Sequence, residues 1–101
     1  MKDNLFLAKG INISCSTIDG ISYIYVENED ELLKLDEVGS FIWCQINGKK
    51  TVREIVNYCL SEYTGDEKEI IEHVKSFIGM LLKEKILVSS SHIFKGVMQY
   101  G

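Results

Sequence analysis

The sequence predicts an α+β domain of the winged-helix-like kind, a three-stranded antiparallel sheet followed by three helices. Three observations predict it. Apolar residues recur every second position between residues 11 and 35, and from Asp36 onward they recur with helical spacing. The chain has no proline, and its breaks are short glycine or polar turns. At 101 residues the chain is the size of one domain with one core, and two predicted layers suffice to build it.

In the first strand Ile11, Ile13 and Cys15 hold the odd positions, as on a half-buried surface. Asp19-Gly20 is a two-residue hairpin signal. The second strand, Ile21–Val26, is β-branched, aromatic and apolar on both faces. A polar turn, Glu27–Asp30, leads to a short third strand, Glu31–Leu35, which completes a meander. Asp36 then caps a helix with Val38, Phe41, Ile42 and Ile46 on one face. Asn47-Gly48 ends it, with Gly48 suited to the left-handed position after the helix. Thr51-x-x-Glu54 is a capping box opening a second helix, whose stripe runs from Val52 through Ile55, Val56, Cys59 and Leu60 to Tyr63. Gly65 breaks the chain, and Asp66-x-x-Glu69 is a further cap signal. The third helix carries Ile70, Val74, Phe77, Ile78, Leu81 and Leu82 and ends near Lys85. Ile86-Leu87-Val88 reads as a strand or a packed tail. The domain is expected to occupy residues 1–88, with 89–101 a loosely held C-terminal tail.

Composition excludes several classes of function. A net charge of -4, with Lys49-Lys50 and nearby Arg53 as the only basic cluster, is wrong for a protein that displaces counterions from nucleic acid. A DNA-reading winged helix would need basic residues on its recognition helix, yet the third helix opens Asp66-Glu67-Lys68-Glu69. No run approaches the ~18 apolar residues of a membrane span, and the N-terminus is too short in apolar residues for a signal sequence. Cys15, Cys44 and Cys59 are odd in number, far apart and without metal-ligand spacing. They read as reduced thiols in a cytoplasmic protein, with Cys44 and Cys59 as small hydrophobes of their helices. The two histidines, His73 and His92, stand in no motif, and there is no phosphate loop, GxSxG or HExxH. A thiol of Cys44 or Cys59 paired with His73 would have its pKa raised by apolar neighbours. No catalytic, cofactor or metal site is expected.

The junction Lys34-Leu35-Asp36-Glu37-Val38-Gly39-Ser40-Phe41-Ile42-Trp43 resembles the LNxxGxxIW segment of PqqD-like proteins. Asn47-Gly48-Lys49-Lys50-Thr51-Val52-Arg53-Glu54-Ile55-Val56 is similar to that family's DGxxTVxEIV. Tyr63, the acidic stretch after it and the apolar ladder to Leu81-Leu82 and Ile86-Leu87 extend the likeness over roughly residues 5–88. Asp36 replaces the common Asn, which a cap tolerates, and Lys85 stands where many relatives have Gly. The resemblance implies a recognition element for ribosomally made, modified peptides. It would bind the leader of a precursor peptide and deliver it to a radical S-adenosylmethionine enzyme, a cyclase or a leader peptidase. It also implies strand addition to the third strand, in a groove against the third helix.

On that basis the peptide-binding residues are Glu31, Leu32, Leu33, Lys34 and Leu35 of the third strand, with Val74, Lys75, Phe77, Ile78 and Leu81 of the third helix. A sheet edge offers free N–H and C=O groups, and pockets at alternate side chains supply selectivity. Lys34 and Lys75 would flank the groove and attract acidic leader residues. Taken singly, the residues of the helix stripe read as core before contact, and Trp43 reads as packing before function. Gly39 is suited to a close approach between elements. The alternatives are a scaffold that binds a folded protein and, behind it, a DNA-binding winged helix.

Overall fold

The computed structural model describes residues 2–94. Strand β1 (Phe6–Lys9) leads through a turn to β2 (Ile13–Ile18) and β3 (Ile21–Val26). A single 3-10 turn, Glu27–Glu29, joins β3 to β4 (Glu31–Lys34). Helices α1 (Glu37–Gln45), α2 (Val52–Glu62) and α3 (Glu67–Lys83) follow, and β5 (Leu87–Ser90) closes the chain. The meander β2-β3-β4 is one antiparallel sheet, and β1 and β5 pair antiparallel in a second. The three strands and three helices are as the sequence predicts. β1 is an addition, and Ile86-Leu87-Val88 contributes the strand rather than the packed tail.

Local chemistry fixes each turn. Ile18 pairs with Ile21 across Asp19 and Gly20, whose φ values of 52° and 81° are those of a type I′ hairpin. The Asp36 carboxylate accepts from Gly39 N at 2.7 Å and caps α1. Thr51 and Glu54 make the reciprocal bonds of a capping box on α2. Asp66 caps α3 by accepting from Lys68 N at 2.9 Å. α1 ends on Ile46 rather than at Gly48, which is left-handed two residues later and donates to Leu7 O at 2.8 Å. α3 stops in a Schellman motif. Ile86 N donates to Leu81 O, Lys85 N donates to Leu82 O, and Lys85 takes φ 62°. A left-handed residue at that position is the physical reason glycine suits it, so Lys85 carries a strain a glycine would not.

The core lies between the inner face of the meander and the three helices, with Trp43, Ile42, Ile55, Val52, Ile24, Val74, Ile78 and Leu81 fully buried. α1 packs on β3, and α3 packs on α2 and β5. β1 is covered on both edges, by β5 and by the loop before α2: Leu7 N donates to Lys50 O, and Val52 N donates to Leu5 O. Leu7 and Ala8 have no exposed surface. The predicted boundary at residue 88 falls inside β5, and Phe94 N still donates to Gly48 O at 3.0 Å. The rest of the expected tail, from residue 95, lies outside the described residues. Trp43 is core, with Lys9 Nζ 4.8 Å from its ring centroid, which bears out its reading as packing.

Candidate functional site

β4 is an edge strand, paired with β3 only. The register sets Tyr23, Ile24, Tyr25 and Val26 opposite Lys34, Leu33, Leu32 and Glu31. Leu35 N donates to Ser22 O at 3.0 Å, so the ladder bonds to β3 come from residues 31, 33 and 35. Leu32 and Lys34 therefore turn their N–H and C=O groups outward. Side chains alternate the same way. Leu33 packs on the core with Ile24, whereas Leu32 stands on the outer face, opposite Tyr25, and is 66% exposed.

α3 packs on α2 and β5, and Phe77 brings it to the start of α1, just after β4. Val74, Ile78 and Leu81, one stripe in the sequence, are buried in the core, which is the use the structure gives them. The ridge beside them carries Phe77 and, three residues on, Met80, which is 53% exposed. Phe77 rests on the start of α1. A Cβ at Gly39 would lie 3.2 and 3.3 Å from its ring carbons and 3.0 Å from Asp36 Oδ1, so a larger residue would press both side chains aside by a few tenths of an ångström. Gly39 thus serves a helix–helix contact beside the end of β4.

The sequence-predicted residues divide accordingly. Glu31, Leu32 and Lys34 are exposed on the edge, Leu33 is partly buried and Leu35 is buried. Phe77 is partly buried at the helix surface. Lys75 is turned to the other flank, where its ammonium meets Asp3 at 3.0 Å. That contact holds the Asp3 carboxyl below its ordinary pKa, chiefly through the hydrogen bond. At the Glu31 end, Glu27, Glu29 and Asp30 are also exposed; Tyr25 donates to Asp30 at 2.6 Å, which raises the phenol's pKa. Met80 was not singled out because it stands off the Val74–Ile78–Leu81 stripe; its i+3 relation to Phe77 was the available signal.

The cysteines differ in their surroundings. Cys59 is buried, which pushes its thiol up and away from a reactive thiolate. Cys44 corrects the expectation of a small hydrophobe: it is exposed, 3.7 Å from Ser22 Oγ and 3.8 Å from Thr17 Oγ1. Among the described residues no group of His, Cys, Asp and Glu is arranged to hold a metal, and no helix is long and apolar enough to cross a membrane.

The family described as coenzyme PQQ synthesis protein D, PqqD, matches residues 23–87. That span runs from β3 through the whole of α3 to the start of β5. The chain belongs to the PqqD family. Two solved structures share the fold. One is TbiB1 in complex with the TbiA(beta) leader peptide, at TM-score 0.73 and 24% identity, covering 79% of this chain and 93% of that one. The other is a lasso peptide synthetase B1 complexed with the leader peptide, at TM-score 0.71 and 12% identity, covering 81% and 96%. Comparison with curated proteins found no match.

Proposed function

We propose that this PqqD-family chain is a non-catalytic adaptor that binds the leader of a ribosomally made precursor peptide as a strand added to β4. It then delivers that peptide to a modifying enzyme in the cytoplasm, whether a radical S-adenosylmethionine enzyme, a cyclase or a leader peptidase. The open edge at Leu32 and Lys34, beside the Phe77–Met80 ridge, carries this reading. Family membership supports it, as do two structures of the same fold that are complexes with leader peptides. The winged-helix arrangement serves here as a platform for a strand. The exposed carboxylates of Asp66, Glu67 and Glu69 at the start of α3 repel phosphate and oppose a DNA-reading role.

Magnitudes say what the edge supplies. Two N–H and two C=O groups give up to four hydrogen bonds at about 1 kcal/mol each. Micromolar binding needs about 8 kcal/mol, so side chains must provide about half. On the near wall the leader's apolar residues meet Leu33, Phe77 and Met80, while Lys34 favours an acidic neighbour by at most about 1 kcal/mol when exposed.

The test is a titration of the isotope-labelled chain with the leader of the precursor encoded beside its gene. Amide shifts are expected over residues 31–35 and along 74–82 of α3. No shifts, or shifts confined to the C-terminal tail, would defeat strand addition and leave a protein–protein scaffold as the better reading.

A further inference from the structure

A cavity of about 460 Å³ opens where β4 begins. Its apolar walls are Ile11, Ile13, Val26, Val88 and Phe94. Val26 is the register partner of Glu31, and Glu29 in the preceding turn also lines the cavity. Opposite stand Glu84 and Lys85 at the end of α3. The cavity therefore lies between the end of the meander that carries Ile13, Val26 and Glu31 and the C-terminal end of α3. Whichever direction an added strand takes, one of its ends leaves the sheet at Glu31, at the same end of the meander as this opening.

Its chemistry names the occupant. Lys9 and Lys85 balance Glu29 and Glu84 on the rim, so the site favours neither an anion nor a cation. Two of its residues are apolar and conspicuously exposed, Ile11 at 89% and Val88 at 39%. Gly10 keeps the floor in place, since a Cβ there would lie 2.9 Å from Lys85 O. The space is that of one or two large side chains.

We infer that this cavity is a second docking point for the leader, a socket for a bulky aliphatic or aromatic side chain just outside the stretch paired with β4. The inference rests on the strand-addition reading and extends it. The socket gives the leader an anchor beyond the short edge, and it fixes the register of an added strand that the four-residue β4 alone would hold loosely.

The experiment uses the full chain, the synthetic leader as probe, and the variants Ile11→Asp and Val88→Asp, both at exposed positions. Each should weaken binding about ten- to hundredfold, as loss of one buried large apolar side chain does. Shifts at residues 31–34 should persist at saturation. Replacing one apolar leader residue by alanine should cost as much alone, and little more in the Ile11→Asp background. Unchanged affinity in both variants, with shifts at 31–34 intact, would overturn the socket and leave strand addition standing. Absence of shifts at 31–34 would instead remove the reading beneath it. If deleting residues 95–101 shifts the amides of 9–13 in the free protein and leaves leader affinity unchanged, the cavity belongs to the chain's own end and the inference fails.

Discussion

The meander has two open edges, and they differ in length and in what surrounds them. On β2 the ladder faces β3 through Ser14, Ser16 and Ile18, so Ile13, Cys15 and Thr17 carry the outward groups. That edge is longer than β4, six residues against four, and offers more hydrogen bonds. Its polar side chains are engaged locally: Ser14 donates to Glu27 at 2.7 Å, and Thr17 sits by Ser22 and Cys44. β4 has fewer free groups but leads into the start of α1, on which Phe77 of α3 rests. Backbone hydrogen bonds exchange water for peptide at small net gain, so the number of free groups does not choose the edge. On the proposed reading, burial of leader side chains does.

Leu32→Pro is the sharpest way to break this comparison. It deletes an outward N–H without touching the bonds to β3, and the strand conformation of Glu31 already suits a residue before proline. Leader affinity should fall about ten- to hundredfold by calorimetry, while Cys15→Pro on β2 leaves it unchanged. Equal losses at both edges would mean that β4 is not the chosen one.

Met80→Ser should cost roughly fivefold in affinity through lost apolar contact, with stability unchanged within about 0.5 kcal/mol in a denaturant titration because the side chain is exposed. A large stability loss would place Met80 in the core instead of the cleft. Lys85→Gly should stabilise the fold by somewhat under 1 kcal/mol, seen as a higher melting temperature, by relieving the left-handed strain at the end of α3. If stability falls, the Schellman end of the wall is held by the lysine side chain.

The smallest effect belongs to the far flank of α3. The Asp3 carboxyl is lowered by Lys75, with help from Arg53 and the N-terminal amine, so its folded pKa lies below its unfolded one. Its stabilisation is complete above the ordinary carboxylate range and is lost as pH falls through the lowered value. With both partners more than a third exposed, screening keeps the effect small. Asp3→Asn should flatten that acidic slope in thermal melts and leave leader binding at neutral pH unchanged.

What was legible in the sequence was local. The Asp19-Gly20 hairpin, the Asp36 and Asp66 caps and the Thr51 box each depend on residues within a few positions, and each formed as read. β1 was not legible because its reason to exist lies about eighty residues away: Phe6 faces Ser90. The first strand of the meander slid two residues, since Ile11 extended the alternation although it belongs to the turn. In the candidate site the edge strand was readable from its place in the meander. Of the α3 ridge only Phe77 was named, because periodicity points to the most apolar face, and that face of α3 is core. Phe77 and Met80 lie one step around the helix, where composition gives little sign.

The β1–β5 clasp has a mechanical consequence. Phe6 and Ser90 face each other at the open end of this two-stranded ribbon. A force drawing those two residues apart would load its rungs one after another, as in unzipping, not all together in shear. The domain should therefore yield to a low pull applied there, and the clasp should part before the meander between them feels the load.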